Sequence, residues 1–480
     1  MHKRIFNIVS TPTGSALIMG ILLTCTLGVV GCKKFLAQEP YNRISVAEIF
    51  KDFEGARTTL IGAYDNLKDV NFYERALGLY ADLTGGNIKY ARSTNQAFFN
   101  TYFFGNSPIA DQNELQAFYL LAYNTIYRAN ALLQNADKIA DANRLQLNRM
   151  KADAYTFRAL CHFELVRVFA QPYNFTPNGG HPGIVIRTQN TSADEPIGEP
   201  STVGQVYNQI VADLDSALLL YPNSVPIYAS GPARSYFSAD FAKALLVRVY
   251  QQREDWPKVV QYATELISAG TYTFAPNFNY VQGWRRNGNG AMDNEAIFYL
   301  LARTDINQGA FGDNFNPQNT QFGYMGASND LLNIFEPGDI RGRSTMFVTG
   351  TGSTGPAYFT RKYQGRNDSA DNQKLVRISE IILARAEAHA ESNNLAAALT
   401  DLNRIRQRAN PATPALTINN RAQLVDSIMM ERRRELCFEG HLLYDITRKK
   451  KNLVRLDCVG SNCSVAYPSP LFAVPRPTQR

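Results

Sequence analysis

The chain has 480 residues, of which 45% are hydrophobic and 19% charged, with a formal net charge of +7. That length is ample for a large buried core, and 49 basic against 42 acidic residues leave no dense basic stripe, which argues against nucleic acid as a partner. With 25 Tyr and 27 Phe but only two Trp, aromatics suffice for a core and also for an exposed binding surface.

In chain order, His2, Lys3 and Arg4 precede an apolar run from Ala16 to Val30 that ends at Gly31-Cys32. A basic start, an apolar stretch and a small residue at the cut are the layout of a secretory signal, and the run falls short of the roughly 20 residues a spanning helix needs. Cys32 after a small residue resembles the lipobox of bacterial lipoproteins. Residues 1–31 are therefore read as a leader and Cys32 as the lipidated first residue of a mature chain, 32–480. Several acyl chains on one cysteine would anchor it firmly, where one alone binds only marginally. Loss of Lys3 and Arg4 with the leader lowers the net charge to +5.

The mature chain reads as mainly α, in paired helices. An apolar-rich segment runs from Asn113 to Asp137, and Met150, Ala154, Phe157, Cys161, Leu165 and Val168 then recur at helical spacing on one face. Gln171-Pro172 stops that helix, and a Pro- and Gly-rich loop follows to residue 200. Ser201 or Thr202 is a candidate N-cap for the next helix, with Val206, Ile210, Leu214 and Ala217 on one side. Ser238 to Gln252 and Asp255 to Gly270 form a helix–turn–helix unit of tetratricopeptide size, and Ile378 to Ala390 with Leu395 to Ile405 form another. Between them, residues 271–373 are rich in Gly, Asn and aromatics with no sustained helical period. The expected architecture is one domain of tetratricopeptide-like helical hairpins, an α–α superhelix, with its scaffold over about 41–270 and 374–450 and a long irregular, loop-rich insertion over about 271–373.

No catalytic constellation emerges. Gly350, Gly352 and Gly355 fit the dinucleotide fingerprint by letter, but Pro356 follows where a helix should start, so a flexible loop is expected. The five histidines have no metal-ligand spacing, and neither a metal nor a cofactor is expected. Glu431, Glu435 and Glu439, at i, i+4, i+8 among Arg432, Arg433 and Arg434, read as interhelix salt bridges rather than acid–base groups. Cys458 and Cys463 flank a turn-like loop and are expected to form a disulfide, while Cys161 and Cys437 read as buried apolar residues.

Several segments together resemble the SusD/RagB family of outer-membrane nutrient-uptake lipoproteins from Bacteroidetes. They include Cys32-Lys33-Lys34-Phe35-Leu36, Gly62-Ala63-Tyr64, Tyr127-Arg128-Ala129-Asn130, Ala152 to Ala159, and Thr202-Val203 through Leu214. The C-terminal block is the fullest: Arg377 to Ile381, Ala386-Glu387-Ala388, Leu402 to Arg406, Glu431 to Gly440 and Tyr444 to Arg448. Leu442 departs from the pattern, standing where the family usually has an arginine. The resemblance implies a non-enzymatic, lipid-anchored protein of the cell outer membrane, facing outside. It would bind an oligosaccharide, or in some members a peptide, and pass it to a TonB-dependent transporter of the SusC type. A helical-repeat adaptor that binds only proteins is the alternative from another class.

A sugar ring has one apolar face and a rim of hydroxyls, so its site needs exposed aromatic planes beside hydrogen-bonding groups. Two stretches supply both. Residues 271–325 carry Tyr280, Trp284 and Tyr324, with Arg285, Arg286, Asn287 and Phe322 nearby. Residues 72–104 carry Tyr73, Asp82, Tyr90 and Arg92. Trp284, the tryptophan outside a regular helix, is the leading candidate for stacking.

Overall fold

The computed structural model describes residues 45–92, 98–109, 112–190, 198–228, 231–285, 291–302, 311–318, 323–363, 371–458 and 462–478. The leader, Cys32 with Lys33 and Lys34, and also Arg286, Asn287 and Phe322 lie outside the described residues. Two compact units result, 1–49 and 50–480. Of the first, the described part is a single helical turn, Val46–Ile49. All that follows concerns the second.

Its scaffold is helical. Asp52 caps α1 (Phe53–Leu67), and α2 is Gly78–Gly85. Helices α3 (Gln116–Asn135) and α4 (Arg144–Phe169) pack against one another, and α5 (Val203–Leu220) lies on α4. Thr202 closes a full capping box with Gln205, as its position before the apolar run suggested. Helix α4 corrects the one-face expectation: from Met150 to Phe169 it is buried almost all round, polar residues included. Those residues are buried because they are paired. Arg158 meets Asp213 at 2.6 Å, Arg149 meets Asp153 at 3.1 Å, and Glu164 accepts from the Tyr73 hydroxyl at 2.9 Å.

The two expected hairpins are present. Helices α6 (Ala239–Arg253) and α7 (Trp256–Ser268) start at Ser238 and Asp255, whose side chains accept from Phe241 N and Lys258 N. Helices α8 (Ile378–Glu391) and α9 (Leu395–Ala409) turn at Asn393, in the left-handed region at φ 61°, with Asn394 as the cap. Helices α10 (Arg421–Leu436) and α11 (Leu442–Arg448) complete the C-terminal block.

Residues 271–373 are less irregular than expected, because short strands tie them into the scaffold at both ends. Strand β2 (Ala296–Leu300) pairs antiparallel with β6 (Gln373–Arg377), which leads directly into α8. Strand β1 (Ile88–Tyr90) pairs with β3 (Met325–Ala327), with Tyr90 opposite Met325. Strands β4 (Phe347–Gly352) and β5 (Gly355–Thr360) form a hairpin. The glycine fingerprint is the tip of this hairpin, where Gly355 adopts φ +128°, a conformation that side-chain-bearing residues rarely enter. Cys458 and Cys463 are bonded, with Cα atoms 5.6 Å apart, and Cys161 and Cys437 are free and buried.

Candidate functional site

Two places concentrate polar chemistry: a charged core beneath residues 271–373 and a half-open aromatic face beside it. In the core, Arg377 reaches Glu295 at 2.6 Å, Glu435 at 2.9 Å and Glu439 at 2.7 Å. Arg408 bridges the same Glu295 and Glu435 at 3.1 and 2.6 Å, and Arg341 binds Glu431 and Glu435 at 2.8 and 2.9 Å. Lys362 Nζ donates to Glu439 and to the carbonyls of Glu435 and Cys437. Burial alone would raise Glu435, yet Arg408, Arg377 and Arg341 hold it well below the usual carboxylate range. Removing one partner from such a cluster strands a buried charge, so it fixes geometry rather than offering an acid–base pair. The three-glutamate pattern is thus structural, as its spacing suggested. Helix α10 ends at Leu436, however, and Glu439 projects from the turn beyond it.

Trp284 sits in this core, with 0% of its surface exposed. Its ring lies under Lys362 Nζ at 4.8 Å, the Arg377 guanidinium at 5.0 Å and Lys374 Nζ at 5.8 Å from the centroid. The ring quadrupole therefore serves cations of the protein itself. Tyr280 is equally buried, under Arg408 at 4.7 Å. Tyr73 is buried against Glu164, and Asp82 is buried accepting from Gly440 N and Asn87 Nδ2, both at 2.7 Å. Burial pushes the Asp82 carboxyl up to about 6. In this conformation none of these four offers a ligand a surface. Sequence reasoning placed them by composition and could not see that their cationic neighbours arrive from far along the chain.

The rest of the predicted set does converge. Pairing of β1 with β3 brings the 72–104 and 311–325 segments side by side, and Ala91 N donates to Tyr324 O at 2.7 Å. Tyr90 is half-buried, stacked on the buried Tyr324 at 6.3 Å and edge-on to Tyr102 at 5.0 Å. Arg92, also half-buried, donates to the carbonyls of Thr351 and Pro317 and lies 5.7 Å over the Phe359 ring. Residues 455–457, just before the disulfide, close the same face. Arg455 lies 4.3 Å over Tyr102 and donates to its carbonyl at 2.7 Å, and Asp457 pairs with Lys89 at 2.7 Å. Arg455 and Asp457 were absent from the expected set, and nothing in their local sequence ties them to residues near 90. A half-buried tyrosine ring beside fixed arginines suits a polar ligand with an apolar face. No group of His, Cys, Asp and Glu among the described residues could hold a metal ion.

Two family models match the chain. One described as the SusD family covers residues 304–456, and one described as starch-binding associating with outer membrane covers residues 34–250. SusD-like protein P2 of Formosa agariphila is 24% identical, with 90% of each chain covered, and SusD-like protein P38 of that organism is 23% identical over the same shares. Among solved structures, a SusD superfamily protein from Bacteroides vulgatus superposes with a TM-score of 0.78 at 23% identity, covering 89% of this chain and 96% of that one. A SusD-like carbohydrate binding protein from the same species gives 0.73 at 20% identity, covering 88% and 94%. These likenesses agree with the helical architecture described above.

Proposed function

The chain belongs to the SusD family, and on that premise we propose that it is a lipid-anchored outer-membrane protein that binds oligosaccharides and hands them to a TonB-dependent transporter. Cys32 carries the anchor, and the mature protein faces outside. No helix of the described residues is long and apolar enough to cross a membrane. The protein binds without catalysing: the ion cluster beneath the site is committed to structure.

The observation that carries the reading is the convergence of β1, β3, the β4–β5 hairpin and residues 455–457 on one face. Tyr90 and Arg92 are its ligand-facing residues, with Tyr324 behind them as a buried backing ring.

Calorimetry of the full chain in detergent against a panel of neutral oligosaccharides and peptide digests tests this. Saturable glycan binding is expected, weakened about fivefold by Tyr90→Ala as a stacking contact of about 1 kcal/mol is lost. Trp284→Phe should leave that affinity unchanged. Binding of peptides alone would replace the glycan by a peptide ligand, and loss of binding in Trp284→Phe with Tyr90→Ala unaffected would move the site.

A further inference from the structure

A cleft that shares no lining residue with the face just described lies between α3 and residues 187–190. Its volume is about 170 Å³, and Tyr123, Ile126, Tyr127, Arg187 and Gln189 line it. The walls are held rigidly. Asn130 Nδ2 donates to Arg187 O at 3.3 Å, Asn190 Nδ2 to Tyr127 O at 2.9 Å, and Asn190 N to Gln134 Oε1 at 3.2 Å. From below, Arg158, itself locked to Asp213, donates to Thr188 O at 2.8 Å, and Arg187 N donates to His162 Nε2 at 3.2 Å. These bonds use the Arg187 N–H and carbonyl, the Thr188 carbonyl and the Asn190 N–H, and the Arg187 and Gln189 side chains line the cleft.

Two features of the cleft remain unspent. Tyr119, Tyr123 and Tyr127 stand at i, i+4 and i+8 on α3, one face of the helix. Tyr119 and Tyr123 are ring neighbours at 4.8 Å, and Tyr127 is 49% exposed. Beside this ladder, Arg187 lines the cleft. Its guanidinium forms no ion pair among the described residues, whereas Arg158, Arg248, Arg377 and Arg408 each hold a carboxylate. An unpaired guanidinium and an exposed tyrosine ring lining one cleft make a half-site for an anion carried on a ring.

We propose that this cleft is a second ligand site, built for a saccharide that bears a carboxylate or a sulfate. The sugar plane lies on Tyr127, Arg187 meets the acid group, and Gln189 serves a ring hydroxyl. The site is independent of the neutral-glycan face at Tyr90.

Calorimetry of the full chain in detergent would use oligogalacturonate, a sulfated galacto-oligosaccharide, the neutral galacto-oligosaccharide and hexaglutamate. The first or the second is expected to bind, and which of them does identifies the acid group. Arg187→Gln should weaken that binding at least about tenfold, the scale of a lost charge-assisted hydrogen bond. Tyr127→Ser should weaken it as well, and added salt should do so progressively. Both side chains are at the surface, and an unchanged melting temperature verifies that each variant folds. Tyr90→Ala should leave acidic-sugar binding intact, which separates failure here from failure at the neutral site. Acidic-sugar affinity unaltered in both cleft variants, or absent from the wild-type chain, overturns the proposal. So does hexaglutamate binding as tightly as the acidic sugars with the same dependence on Arg187, which would make the occupant an acidic peptide.

Discussion

Buried titratable residues in this protein are tuned by what surrounds them, and His162 shows the consequence most simply. It lies fully buried on α4, and burial, aided by Arg158, depresses its imidazole to about 3. In the unfolded chain the ring takes a proton near pH 6.5, so the unfolded state binds more protons than the native one between about 6.5 and 3. The stability that neutral His162 contributes is therefore complete above pH 6.5 and is lost as pH falls. His162→Gln keeps an acceptor for Arg187 N–H but does not titrate. Relative to that variant, the wild-type chain should lose about 1.4 kcal/mol per pH unit on acidification below 6.5. Urea unfolding at pH 7.5, 6 and 5 checks it, and equal slopes in the two proteins would refute it. The same tuning explains why single-residue functional readings were the least legible part of the sequence. Trp284 is one of two tryptophans and has Arg285 beside it, which reads as a binding platform. The cations that claim its ring, Lys362, Lys374 and Arg377, stand about 80 to 90 positions later, beyond any local pattern.

Local pattern works at the scale of elements, because caps and periodicity act over four residues. Thr202, Ser238, Asp255 and Asn394 each cap the helix expected after them, each accepting from a backbone N–H three residues on. Thr202 is the fullest case, with Gln205 Oε1 returning to accept from Thr202 N at 2.9 Å. Thr202→Ala leaves that helix end one acceptor short and should cost about 1 kcal/mol, read as a shift in urea midpoint with unchanged slope. Since α5 also carries Asp213, the anchor of Arg158, a midpoint shift several times larger would mean that the cap positions the whole helix. What local pattern missed were the short strands. Strand β1 has three residues and β3 three, too few for a period-2 signal, and their partners are more than 230 positions apart. The stretch 271–373 therefore looks structureless in sequence, although it is pinned at β1 and β6. The aromatic face exists because of that pinning: Tyr90 and Tyr324 become neighbours only when β1 and β3 pair.

For the whole molecule, the ion cluster decides how the parts unfold. Glu295 comes from the segment before β2, Arg341 and Lys362 flank the β4–β5 hairpin, Arg377 ends β6, Arg408 ends α9, and Glu431 and Glu435 lie on α10. A separate pair, Arg248 on α6 with Glu380 at 2.6 Å, ties α6 to the first turn of α8, directly after Arg377. Opening any one of these elements strands charges on the others, and that penalty is shared rather than local. Unfolding should therefore be one transition. Far-UV circular dichroism, dominated by the helices, and tryptophan fluorescence, which reports Trp256 on α7 and Trp284 inside the cluster, should give coincident urea midpoints. Arg377→Ala leaves Glu295, Glu435 and Glu439 without their common partner and should destabilise the chain by about 3–5 kcal/mol, lowering both midpoints together. Were fluorescence to move while the helical signal stayed, residues 271–373 would be a separable lobe and the aromatic face could open independently of the scaffold. Coincident midpoints instead mean that the scaffold and the loops presenting Tyr90 and Arg92 share one stability, so the binding face is as rigid as the helical hairpins that carry it.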